Sequence, residues 1–449
     1  GEDLADKIFY LTAKTITGTV AREAFELLRK NGYQAKVLTI TAKEKLCLCE
    51  EMECNPVNCP YAKGHYDRVN DAVFSLLQKE DVITREVILE QAKEYNVCPF
   101  EMCLDTATWV DDIICDYNYV FDPNVYLKRF FADGTAGDYI FLVDEAHNLV
   151  ERSREMYSAV IYKEDFLLAK KILKKYGQAK LIKELEKCNR VLLAYKRECE
   201  KYVIYESIGN LAFDLMNVAS DLDEFLQKAP EFPERKDLSE FYLNLRSFLN
   251  IYELLDDHYV VYAEHEQDGR FKLKLYCVDP SKNLQERINK GNATIFFSAT
   301  LLPVGYYKSL LSTETDNYAV YAKTAFREEQ KLLLLGNDVS SKYTRRSAGE
   351  FERIASYIKK TTDAKKGNYM VFFPSYKMME QVYDVFLEKN QSDPSCEAET
   401  LIQQPGMTEE ERESFLEAFS EELSGERKDS LVAFCVMGGI FGEGIDLKN

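Results

Sequence analysis

The chain has 449 residues, 46 % of them hydrophobic, which suits about three domains with full cores. Its 57 basic and 76 acidic residues leave a net charge of −19, a field that excludes whole-molecule steering to nucleic acid or anionic membrane. No run approaches the ~20 apolar residues that span a bilayer, and no basic end followed by an apolar stretch opens the chain, so the expectation is a cytoplasmic protein without membrane contact.

In chain order, Lys7–Thr12 (KIFYLT) and residues 35–41 (AKVLTIT) read as short strands. Between them Val20, Ala24, Phe25, Leu27 and Leu28 recur at helical spacing, with Gly32 placed as the residue past the helix end. Strand, helix, strand starts a parallel sheet. Seven of the 12 cysteines lie between Cys47 and Cys115, and their clustering in a Cys-, Pro- and Glu-rich segment favours a metal site over disulfides. That segment reads as an insertion containing one helix (Val69, Ala72, Val73, Leu76, Leu77). Strands resume at residues 112–115 (DIIC) and Tyr139–Val143 (YIFLV). Residues 158–268 read as almost wholly helical, a second insertion without a nucleotide or metal motif. A short apolar run, TIFF, then precedes Ser298, and a further strand and helix alternation begins near Leu332.

Asp144-Glu145-Ala146-His147 follows the strand YIFLV directly. A carboxylate there sits at the carboxyl edge of a parallel sheet, where open α/β folds bind ligands. Asp144 is placed to hold Mg²⁺ through water and Glu145 to take a proton from an attacking water; the plainer reading is a polar strand end capping the next helix. Ser298-Ala299-Thr300 alone reads as an N-cap. Residues 438–446 pack four glycines into nine positions after the strand LVAFCV, letting backbone approach a ligand while Glu443 and Asp446 stay available to it. Cys47, Cys49, Cys54, Cys59, Cys98 and Cys103 are candidate thiolate ligands for zinc or an iron–sulfur cluster, with His65 a further donor in the zinc reading alone.

Taken in order, LTAKT (residues 11–15), the cysteine cluster, DEAH, FSAT, VFFPSY (residues 371–376) and GGIFGEGIDL resemble motifs Ia, II, III, IV and V of the iron–sulfur DNA helicases of the XPD and DinG family. The resemblance implies an α/β fold of two RecA-like motor domains with two insertions in the first. Residues 1–45, 106–157 and 269–325 then form motor domain 1, residues 46–105 its iron–sulfur insertion, residues 158–268 its helical arch, and residues 326–449 motor domain 2. Cys98 stands in a Cys-Pro-aromatic run like the family's last ligand, so Cys47, Cys54, Cys59 and Cys98 are the implied holders of a [4Fe–4S] cluster, with Cys49 the alternate for Cys47. ATP is the implied substrate with Mg²⁺ near Asp144, and His147, Ser298 and Thr300 couple hydrolysis to closure. Glu443, Gly444 and Asp446 line the second wall of the nucleotide site, and Lys14 and Thr15 contact DNA. The resemblance further implies a monomeric, nucleoid-associated helicase with 5′→3′ polarity on single-stranded or forked DNA.

No G-x-x-x-x-G-K-[S/T] occurs, and the text stops after motif V, before the family's arginine-bearing motif VI; the sequence reads as an internal portion of a longer protein. Residues 163–201 carry 12 Lys and Arg against 6 Asp and Glu, net +6, a stripe in which Lys170, Lys171, Lys174 and Lys175 are placed to track a phosphate backbone. Its plainer reading is a solvated, ion-paired helix face. The alternative from another class is a nucleic-acid-binding scaffold with a structural metal and no motor activity.

Overall fold

The computed structural model describes residues 5–13, 15–132, 134–229, 231–324, 327–391, 398–420 and 430–442. It divides into two units, Gly1–Ala319 and Val320–Asn449.

The described strands are β1 (Lys7–Thr12), β2 (Val37–Thr39), β3 (Val82–Ile83), β4 (Asp112–Asp116), β5 (Tyr139–Val143), β6 (Ala159–Tyr162), β7 (Tyr202–Tyr205), β8 (Tyr259–His265), β9 (Phe271–Cys277), β10 (Ala293–Phe296), β11 (Asn368–Phe373), β12 (Glu399–Ile402) and β13 (Leu431–Val436). In the first unit six of them pair in parallel in the order β10-β5-β1-β4-β2-β3. β1 lies between β4 and β5, with Leu11 opposite Cys115 on one side and Val143 on the other. Burial on both faces explains the near-continuous apolar text of β1, β4 and β5. From β1 the chain turns one way to β2, and from β5 the other way to β10, so the carboxyl ends of β1 and β5 form a topological switch point.

The helix Thr15–Lys30 forms as expected, and Gly32 takes a left-handed φ of 96° past its end. Its buried face differs from the sequence reading: Ala21 and Phe25 pack against Tyr10, Val37 and Ile114, whereas Leu27 and Leu28 are 62 % and 51 % exposed. The cysteine-rich segment is no detached module. Its helices His65–Lys79, Arg85–Tyr95 and Pro99–Thr106 place Val69, Leu76, Ile88 and Met102 in one hydrophobic cluster with Phe9, Ile113 and Phe141 of the sheet, and β3 extends the sheet itself.

The expectation of an almost wholly helical second insertion is corrected. Helices Lys163–Lys175, Ala179–Glu198, Asn210–Lys228 and Arg235–Glu253 cover one face of a four-stranded antiparallel sheet ordered β6-β9-β8-β7. FKLKLYC in β9 alternates strictly, Phe271, Leu273, Leu275 and Cys277 buried and the residues between them half-buried. The hairpin of β8 and β9 runs across the expected 268/269 boundary, and Cys277 N–H donates to Ser158 Oγ at 2.9 Å, closing the insertion at its root.

In the second unit β11, β13 and β12 form a parallel sheet in that order, packed by helices Ala348–Ala364 and Tyr376–Gln391 around Phe351, Val382, Phe386 and Phe434. Ser347 caps the first of these helices by accepting from Glu350 N–H. The alternation expected to begin near Leu332 starts later: Leu332 to Leu335 are 69–85 % exposed and form no strand, and the first regular element after them is a 3-10 turn at Tyr343–Arg345. Among the described residues no helix is long and apolar enough to cross a membrane.

Candidate functional site

Residues Asp144 and Glu145 leave β5 at the switch point. Asp144 N–H still donates to Leu11 O (2.9 Å) and Ala146 N–H to Phe297 O (3.1 Å), so the turn is stitched to the strands on both sides. Glu145 adopts φ 46°, the left-handed region that a side chain bearing Cβ rarely occupies. Asp144 Oδ1 accepts from Glu145 N–H at 2.8 Å, and Oδ2 accepts from the Tyr10 hydroxyl at 3.1 Å. Burial raises the Asp144 carboxyl above the ordinary range, the Tyr10 and Glu145 hydrogen bonds oppose that, and the Glu145 charge adds to it. The Tyr10 hydroxyl is raised by its own burial and then by Asp144.

β10 brings Ser298 and Thr300 to the same edge. Ser298 Oγ donates to Glu145 Oε2 at 2.8 Å. With its one proton used there, it accepts from His147 Nδ1 (2.8 Å) and from Thr300 N–H (3.1 Å). Thr300 Oγ1 lies 3.1 Å from His147 Nδ1, and Glu145 Oε2 3.4 Å from the same nitrogen. The structure therefore gathers Asp144, Glu145, His147, Ser298 and Thr300, five residues singled out from sequence, in one hydrogen-bonded group. Two further members carried no sequence signal. Tyr10 reaches Asp144 across 134 positions, and the Tyr117 hydroxyl bonds to the carbonyls of Asp144 and, at 3.0 Å, Glu145.

Lys14, Glu443, Gly444 and Asp446 lie outside the described residues, as does the side chain of Thr15. Beside the acidic turn, a cavity of about 790 Å³ opens at the carboxyl ends of β1, β2 and β4, lined by Thr12, Thr41, Lys43, Phe100, Tyr119 and Lys128 among others.

The cysteines of the insertion are all free, Cys54 exposed and Cys47, Cys49, Cys59 and Cys98 half-buried. Cys49 Sγ lies 3.8 Å from Cys59 Sγ; burial, followed by Cys59 and Cys47, pushes the Cys49 thiol up to about 11. Cys98 caps the helix Pro99–Thr106; burial raises its thiol, opposed by the N–H groups of Glu101 and Phe100. Cys103 and Cys115 are buried in the core. His65 is buried and accepts from Cys98 N–H at Nδ1 (3.2 Å). Tetrahedral zinc with Zn–S near 2.3 Å holds its sulfurs roughly 3.8 Å apart. Cys49 and Cys59 meet that distance, but no three of these thiols lie within 4.8 Å of one another.

On the helix Lys163–Lys175, Lys170 pairs with Glu186 at 2.6 Å and Lys175 with Glu234, whereas Lys171 and Lys174 are exposed. Half of the expected phosphate-tracking set is thus held in ion pairs between helices.

An acidic pair at the switch point of a parallel sheet, bonded to a Ser-Ala-Thr turn on the neighbouring strand, defines an open α/β protein with its ligand site at the carboxyl edge of the sheet. Residues 26–166 match the DEAD_2 family model and residues 358–449 the helicase C-terminal domain model. The ATP-dependent DNA helicase XPD of Sulfolobus acidocaldarius is 24 % identical over 76 % of this chain and 60 % of its own length. The ATP-dependent DNA helicase CHL1 of Candida albicans is 21 % identical over 93 % of this chain and 57 % of its own. A solved structure titled XPD helicase superposes with a TM-score of 0.50 at 19 % identity, covering 100 % of this chain and 75 % of that one, and shares the fold. The chain belongs, distantly, to the XPD/CHL1 family of ATP-dependent DNA helicases. It spans about 60 % of the length of these relatives.

Proposed function

We propose that the chain is the motor core of an ATP-dependent DNA helicase that moves 5′→3′ along single-stranded DNA as a monomer and opens forked or structured substrates. The observation that carries this reading is the bond from Ser298 Oγ to Glu145 Oε2, because it ties the proposed proton acceptor on β5 to the turn after β10. Glu145, 23 % exposed at its side chain, is accessible to a water whose proton it accepts as phosphate is attacked. Asp144, at the sheet edge, would hold Mg²⁺ through water, and that ion supplies neutralisation of phosphate charge. Ser298, His147 and Thr300 fix the direction of the Glu145 carboxylate, so a shift of the turn after β10 changes how well Glu145 meets the water.

The group these thiols would hold is read as an iron–sulfur cluster, whose own atoms stand between its ligand sulfurs and so let them lie farther apart than around a single zinc. Cys54, Cys59 and Cys98 would hold it, with Cys47 or Cys49 as the fourth, and its role would be to brace the insertion. Single-stranded DNA would meet the exposed Lys171 and Lys174, together with Lys14.

Glu145→Gln tests the motor reading, because it keeps size and hydrogen bonding while removing the basic oxygen. DNA-stimulated ATP turnover should fall roughly 10²–10⁴-fold with nucleotide binding retained. Near-normal turnover in the folded variant would remove the catalytic role and shift weight to a scaffold that binds nucleic acid without hydrolysis.

A further inference from the structure

We propose that Tyr117 is the positioning residue of Glu145. Its ring is fully buried in the core of the first unit, and its hydroxyl shares one proton between the carbonyls of Asp144 and Glu145, the second at 3.0 Å. Those two carbonyls belong to the peptides on either side of the Glu145 Cα, and fixing both fixes the rotation that gives Glu145 its φ of 46°. The left-handed region is disfavoured for a residue with Cβ, so the turn relaxes unless its surroundings hold it. Tyr117 supplies that hold from inside the core, and Ser298 meets the carboxylate from the outside at 2.8 Å.

The segment carrying Tyr117 is itself fixed by the helix that follows the acidic turn. Arg152 of His147–Met156 donates to Asp116 Oδ1 (3.3 Å) and Asn118 Oδ1 (3.0 Å), on either side of Tyr117. Asn118 N–H donates to Asp116 Oδ1 at 2.9 Å, and Tyr117 N–H to Thr12 O at 3.3 Å. A buried hydroxyl held this firmly has no other evident duty than the two carbonyls, and a phenylalanine would fill the same core space. The inference rests on the reading of Glu145 as proton acceptor, and it deepens that reading by naming what keeps the carboxylate aimed.

The test is Tyr117→Phe, which removes the hydroxyl and keeps the ring. Amide hydrogen exchange on the protein without nucleotide should show Glu145 and Ala146 exchanging about tenfold faster, the scale of one lost intramolecular hydrogen bond. In DNA-stimulated ATP turnover kcat should fall by about the same factor with the nucleotide KM unchanged, a split that general loosening of the core does not produce. Unchanged exchange at Glu145 and Ala146 overturns the proposal whatever the activity, and so does a parallel change in kcat and KM with a lowered melting temperature. Because the sequence holds no G-x-x-x-x-G-K-[S/T], an inactive wild-type chain would leave the role of Glu145 where it stood, and the exchange measurement would still decide whether Tyr117 holds the turn.

Discussion

Replacing Asp112 by asparagine should stabilise the protein, and by an amount that grows with pH. Asp112 opens β4 at the amino edge of the sheet, 1 % exposed, with both carboxyl oxygens accepting from the Tyr33 hydroxyl at 3.2 and 3.0 Å. Burial raises its carboxyl from the ordinary 3.8 to about 6; Asp111 adds to the rise, while Tyr33 and Lys7 oppose it. The folded state therefore holds this proton more tightly than the unfolded chain does. Its stabilising contribution is full below the ordinary carboxylate range and is lost as pH rises through about 6. Linkage over that interval gives a penalty of about 1.5 kcal/mol at pH 5, rising to about 3 kcal/mol by pH 7 and flat beyond. The asparagine amide would keep an oxygen for Tyr33 and carry no charge. Urea unfolding of wild type and Asp112→Asn across that pH range measures the difference directly, and low protein concentration is needed near the isoelectric point of 4.9. A gain that does not vary with pH, or a less stable variant at pH 8, would refute buried ionisation as the cause.

Ser298→Ala removes the donor to Glu145, so turnover should drop roughly 10- to 100-fold, the worth of a hydrogen bond to a charged group, with nucleotide affinity little changed in a binding titration. Cys98→Ser should abolish bound iron and acid-labile sulfide in anaerobically purified protein; stoichiometric zinc in the wild type would instead replace the cluster assignment. Reversing the exposed Lys171 and Lys174 to Glu should lower the salt slope of single-strand binding by about 1.4, and an unchanged slope would remove both residues from the nucleic-acid surface. Lys170→Glu with Lys175→Glu should instead weaken folding, because each lysine already faces a carboxylate, Glu186 or Glu234.

What the sequence conveyed depended on whether its signal was local. The apolar runs of β1, β4, β5 and β13 declare buried parallel strands within five or six residues each, and DEAH and SAT could be joined through their order alone. The sheet of the second insertion was missed although FKLKLYC alternates cleanly, because the adjoining helices dominate the text around it. β6 and β7 are four residues each and offer too little alternation to notice. The Leu332 to Leu335 run shows the opposite failure: a strand-like composition makes a strand when a neighbouring edge receives it, and here those leucines lie exposed. Tyr10 and Tyr117 could not be foreseen, since a tyrosine in a strand or after one is ordinary core text until the partner strand is known.

The second insertion leaves the six-stranded sheet after the helix His147–Met156 and returns through Ser281–Ile288 into β10. Its two ends are zipped together by the pairing of β6 with β9 and by the Arg154 bond to Val278 O at 2.9 Å. The outgoing thread therefore begins at His147 and the incoming thread ends just before Ser298, two residues whose side chains touch at 2.8 Å. The zipped root holds the two threads at a fixed separation, and the His147–Ser298 contact lies directly behind it. The chain path of the insertion and the hydrogen bonds of the Glu145 carboxylate thus meet at the same pair of residues.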